Sequence, residues 1–224
     1  MAVDVSRRGA MLAPAMLAAL SADNRPAGAV GSVAGRLPGL TPEPGALDGV
    51  MNRYTRPAGK SGGHGIGWSE FRPYTFTVPA DWEEVAVSIA DLGGTELDLR
   101  FESPDRGASI AVVVAPQARF RDTASSDIAR LGSKEQLISA FAPEIVGEPL
   151  LEDTVLSMEE RVQSSTEKRV YMYELEGQPR GKHVLVSMLA DGNRLYIFSV
   201  KASAPQFRRN KGLLLESQSS FNLV

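Results

Sequence analysis

Cysteine is absent from the 224 residues, and with it go a disulfide framework, a thiolate zinc site, an iron-sulfur cluster and a cysteine nucleophile. Histidine is scarce too, limited to His64 and His183. His64 sits among glycines, where a ligand is hard to hold rigidly, and His183 opens a strand with no G-x-S-x-G nucleophile motif nearby. Two readings of His183 remain: a strand-edge residue hydrogen-bonded to a carboxylate or the backbone, or a metal ligand or protonating group. Long apolar runs are also missing. The longest, Gly9 to Leu20, falls short of the roughly 18 apolar residues a spanning helix requires.

Strong charge of either sign is lacking, since 24 Lys and Arg against 27 Asp and Glu give a net charge of −3. Nucleic-acid binders normally carry a basic face, and the one basic cluster, Arg208, Arg209 and Lys211, is too short to supply it. That cluster reads as a solvated helix face or as a patch that docks onto an acidic protein surface. Carboxylates are numerous, with Glu83-Glu84 and Asp98 among them, but no D-x-[DN]-x-[DN]-G loop spreads them around one Ca²⁺. They read first as solvated acidic surface.

The first 29 residues read as an address. Arg7-Arg8 precedes an apolar run of about 11 residues, and Ala27-Gly28-Ala29 offers a small-x-small cleavage site, the order of a twin-arginine export signal. Pro14 within the run and Pro26 after it argue against a stable helix of the mature protein. If the destination is a plastid, an outer transit peptide is expected upstream. Residues 30–63 are dense in Gly and Pro without a sustained apolar period, so an extended, flexible leader is expected there. The run Gly62-Gly63-His64-Gly65-Ile66-Gly67 lacks G-x-G-x-x-G spacing and precedes a strand, which makes it a hinge and not a phosphate cradle.

Residues 64–224 read as a folded domain. Tyr74, Phe76 and Val78 alternate with polar residues before Pro79 ends the ladder, and Trp82 is expected to cover the turn. Leu97, Leu99 and Phe101 alternate with Asp98, Arg100 and Glu102 as a half-buried strand. The continuous apolar run Ser109 to Ala115 reads as a central strand, joined to the preceding one by turn residues 103–107. Asp191-Gly192-Asn193 closes a second hairpin, and Val155–Val162 and Arg169–Glu176 add further strands. Ser133 and Gln136 form a capping box ahead of Leu137, Ile138 and Phe141, with Pro143 limiting the helix. Ser203 opens a second helix, whose Phe207, Leu214 and Phe221 recur at a spacing of seven as a core stripe. Antiparallel strands punctuated by helices define an α+β sandwich.

The order of these segments resembles the PsbP family of extrinsic thylakoid-lumen photosystem proteins. The resemblance rests on Gly67 to Phe101, GWSEFRPYTFTVPADWEEVAVSIADLGGTELDLRF, with its Val78-Pro79-Ala80-Asp81-Trp82 turn. It rests also on the hairpin Lys182-His183-Val184-Leu185-Val186 with Asp191-Gly192-Asn193-Arg194-Leu195-Tyr196, and on the terminal Ser220-Phe221, and it covers Gly67 to Val224, about 70% of the chain. In detail the chain is similar to the PsbP-domain proteins of the lumen. The long amino-terminal arm and lysine-rich surface of the principal oxygen-evolving subunit are not evident.

The resemblance implies a PsbP-like α/β/α sandwich around a mainly antiparallel central sheet, located in the chloroplast thylakoid lumen and peripheral to the membrane. It implies a non-enzymatic role at photosystem II and its oxygen-evolving complex, as a subunit or an assembly or stability factor, with calcium as a candidate ligand. Under that reading Arg208, Arg209 and Lys211 are the docking candidates and His183 the candidate metal ligand. Two other readings stand beside it: a photosystem I assembly factor, and a small lumenal carrier or enzyme built on a cavity between sheet and helix.

Overall fold

Apolar alternation along the chain resolves into eleven strands and two long helices among the described residues. In chain order they are β1 (Leu40–Pro42), β2 (Met51–Thr55), β3 (Tyr74–Pro79), β4 (Glu83–Glu84), β5 (Leu97–Glu102), β6 (Ala108–Pro116), α1 (Lys134–Ile145), β7 (Val155–Val162), β8 (Arg169–Gly177), β9 (Lys182–Asp191), β10 (Arg194–Ala202), α2 (Ala204–Ser220) and β11 (Asn222–Leu223). The computed structural model describes residues 39–42, 50–60, 72–87, 90, 96–119, 121–147, 149–177 and 181–224. These fall in one unit, Arg36–Val224. The twin-arginine segment, the small-x-small site and the glycine run with His64 lie outside the described residues.

Seven strands form the central sheet in the order β4-β5-β6-β10-β9-β8-β7, and four form a smaller sheet in the order β1-β2-β3-β11. All recorded pairings are antiparallel. Side chains alternate across a strand, so β10 sends Tyr196, Phe198 and Val200 to one face and Leu195 and Ile197 to the other. The first set joins a core with Tyr74, Phe76, Phe207, Leu214 and Phe221 beneath α2 and the small sheet. The second joins Leu137, Ile138, Phe141 and Ile145 of α1. The central sheet is thus covered on both faces, as an α+β sandwich requires.

The local signals carry through. Ser133 and Gln136 make both bonds of the capping box, and the β9–β10 hairpin turns on Gly192, whose φ of +56° suits glycine. Two details depart from expectation. Pro143 lies inside α1, which runs on to Ile145, because a proline in the last turn forfeits little more than its own backbone bond. Ser203 stands at the start of α2, but its side chain makes no capping bond.

The stretch expected to be an extended leader contributes β1 and β2. β2 pairs with β3 from Met51↔Pro79 to Thr55↔Thr75, and Tyr54 is wholly buried against Phe76 and Phe101. The strand escaped notice because its two buried residues, Met51 and Tyr54, stand three apart and break the period of two. A second irregularity is the bulge between Leu97 and Leu99. It sends Leu97 to the α1 core while Leu99 and Phe101 enter the core beneath α2.

Candidate functional site

Several charged side chains in this domain engage one another. Lys60 meets Glu84 at 2.8 Å, Arg119 meets Glu144 at 2.5 Å and also Glu96, Lys168 meets Asp191 at 2.7 Å, and Arg169 meets Glu160 at 2.7 Å. Arg208, Arg209 and Lys211 form a run of three exposed cations within four residues of one helix. All three are exposed on α2, and among the described residues none is ion-paired. Helical spacing puts Arg208 and Lys211 on one stripe, where the Lys211 ammonium stands 5.6 Å from the Phe207 ring centre. Arg209 turns elsewhere. It lines an open groove of about 540 Å³ with Val50, Pro79, Trp82, Asp105 and Leu213. Hydrogen bonds from the Gly107 N–H and the Ser103 hydroxyl lower the Asp105 pKa, and the Arg209 charge adds to them. Asn210, with non-helical φ −117° and ψ 18°, kinks α2 in the middle of this trio. The cluster in the sequence is therefore two surfaces in space.

His183 lies beneath the same helix. It is the second residue of β9, a strand flanked by β8 and β10, so it is not at the sheet's edge. Its ring stacks on Phe207 with centroids 3.8 Å apart and planes 6° apart. Nδ1 is 3.5 Å from Glu174 Oε1, close enough for an ion pair when protonated, yet it is buried without hydrogen-bond geometry to any partner.

One imidazole and one carboxylate do not enclose an ion, and among the described residues no group of three or more His, Asp or Glu converges to hold a metal. Glu84 is engaged by Lys60, and Asp98 is engaged by Arg56 and Tyr74. Calcium takes six to eight oxygen ligands, so the described residues do not fit it. Titration calorimetry is accordingly expected to return a calcium dissociation constant no tighter than about 1 mM, where extracellular modules lie. A micromolar constant, as in dedicated sensor sites, would contradict this.

The sequence reading missed the most demanding polar arrangement. Asp98, grouped by alternation with half-buried Arg100 and Glu102, is 3% exposed. The bulge at Leu97/Leu99 turns it inward, where its carboxylate accepts from Arg56 Nε at 2.8 Å, Arg56 Nη2 at 3.2 Å and the Tyr74 hydroxyl at 2.6 Å. Burial works to lower the Arg56 pKa, but the hydrogen bond and charge of Asp98 outweigh it and leave it raised. Desolvation and the charge of Asp98 together hold the Tyr74 phenol well above its ordinary range. Arg56 Nη2 also donates to the Lys60 carbonyl at 2.5 Å, and Lys60 Nζ donates to Tyr54 at 3.1 Å. The network ties residues 54–60 to β3 and β5.

Fold comparison defines the class first. The architecture matches the solution structure of cyanobacterial PsbP (CyanoP) from Synechocystis sp. PCC 6803, with a TM-score of 0.54 over 80% of this chain and 96% of that one. At 18% identity this is a likeness of fold. Sequence supplies the family. Residues 69–223 match PsbP. The chain is 47% identical over 196 residues to PsbP domain-containing protein 4, chloroplastic, of Arabidopsis thaliana, covering 87% of this chain and 71% of that protein. It is 27% identical to the thylakoid lumenal 19 kDa protein, chloroplastic, of Arabidopsis thaliana, covering 67% of this chain and 62% of that protein. The chain belongs to the PsbP family, and its location is the thylakoid lumen of the chloroplast. Among the described residues no helix is long and apolar enough to cross a membrane.

Proposed function

We propose that this protein is a non-enzymatic extrinsic factor that docks on the lumenal face of photosystem II and acts at its oxygen-evolving complex as a subunit or an assembly or stability factor. The observation that carries the proposal is the set Arg208, Arg209 and Lys211, three exposed cations close together on α2 that make no ion pair among the described residues, on a chain of net charge −3. Unpaired surface cations on a net acidic chain create a local field that steers encounter with an acidic partner and fades as salt rises. The twin-arginine segment supports delivery to the lumen.

The carrier reading is less well supported. The space between the central sheet and α2 is filled by Phe198, Phe207, Leu214 and Phe221, and the groove beside Trp82 opens at the surface.

Changing Arg208, Arg209 and Lys211 together to Gln is expected to release the protein from thylakoid membranes at lower salt. The melting temperature should hardly move, because exposed charges contribute about 1 kcal/mol or less. Salt-wash titration followed by fractionation of the solubilised complexes checks both points. Retention of the triple variant at every salt concentration would refute docking through α2, and co-migration with photosystem I would replace the partner.

A further inference from the structure

On the α1 face of the central sheet, β6, β9 and β10 bring together two lysines and two serines, and the neighbouring carboxylate, Glu102 of β5 opposite Ser109, is shared with Arg100. Lys201 in β10 has Ser109 of β6 as its cross-strand partner, and Ser199 lies two residues before it on the same face. Lys182, two residues before Val184 in β9, reaches that face diagonally from Lys201. Arg100 and Glu102 of β5 share the face and pair with each other at 3.8 Å. Lys201 is partly buried. Burial, then the charges of Lys182 and Arg100, push its ammonium down to about 8. Among the described residues no hydrogen bond or ion pair engages the side chains of Lys201, Lys182, Ser109 or Ser199.

A partly desolvated cation is normally paired with an opposite charge, and here the one carboxylate in its row, Glu102, pairs with Arg100, while Lys182 adds a second cation. Ammonium groups are donors only, while serine hydroxyls can donate. The partner that fits this set is therefore a negatively charged acceptor, and the partial burial of Lys201 favours a small one. We propose that Lys201, Lys182, Ser109 and Ser199 form a binding site for a small oxyanion, of which inorganic phosphate is the simplest. The site faces α1, away from the cations of α2, and stands or falls independently of docking.

The test is a titration of the full chain with inorganic phosphate at pH 8, following the lysine side-chain NMR resonances, with a parallel sodium chloride series at matched ionic strength. Saturable binding at about 1 mM is expected, a plausible strength for a small accessible ion. The Lys201 pKa should rise by about one unit, because a bound anion favours the charged form. Lys201→Gln should weaken binding about tenfold or more, and Lys201→Arg should largely keep it. The α2 triple variant should bind as the parent does. Lys201→Gln removes an uncompensated charge and is expected to melt no lower than the parent, so its loss of binding would not be a loss of fold. A phosphate response that never saturates, that chloride reproduces, or that survives Lys201→Gln unchanged would overturn the proposal.

Discussion

Asp98→Ala is expected to destabilise the domain by about 3–5 kcal/mol, the cost of breaking a buried ion pair from one side. The carboxylate is buried and engages three donors, two on Arg56 and one on Tyr74. Its loss leaves a guanidinium that is 3% exposed without its carboxylate. Removing both charges is a different experiment. Arg56→Met with Asp98→Leu deletes the stranded charge along with its partner, so the double variant should be markedly more stable than the sum of the two single changes. Denaturant melts of the parent, both singles and the double close the cycle. Additive losses would mean that the pair is uncoupled.

Trp82→Ala should cost about 3–5 kcal/mol as well, the range for deleting a core aromatic. Trp82 is 6% exposed and belongs to the core beneath α2 and the small sheet. Its backbone N–H donates to Pro79 at 3.1 Å, which places the indole over the end of β3 and beside Leu213 in the surface groove. Truncation removes that cover and widens the groove into the core. Unfolding should be followed by circular dichroism, since Trp68 would be the only remaining tryptophan. A loss under about 1 kcal/mol would place Trp82 among surface residues, where substitutions have small effects.

The parts of this fold that were legible in the sequence are those written in short-range chemistry. Ser133 with Gln136, and Asp191-Gly192-Asn193 between two strands, specify a cap and a turn within a few residues. β2 was not legible, because Met51 and Tyr54 derive their burial from β3 and the core and not from their own spacing. Asp98 was misjudged for a related reason. Alternation assigns a side chain to a face only while the register is unbroken, and the partner that makes burial tolerable is Arg56, 42 residues earlier. The basic trio on α2 was visible as composition, but its division into two surfaces depends on a kink at Asn210 that no motif announces. Lys201 offered no signal, since its neighbours Lys182 and Arg100 come from other strands.

The small sheet also governs the order in which the molecule can be completed. β3 is bonded on one side to β2 and on the other to β11, so segments from near both ends of the described chain must close on the same strand. The pairing with β11 is far from local, joining Thr75 to Asn222, and loop closure over such a distance is entropically costly before any contact repays it. Topologies dominated by such pairings fold on the order of milliseconds to seconds, not microseconds. Until β11 arrives, the aromatic row of Tyr74 and Phe76 borders an unfinished edge. The interval before closure is thus the stage at which a newly made chain is most open to wrong pairing with its neighbours.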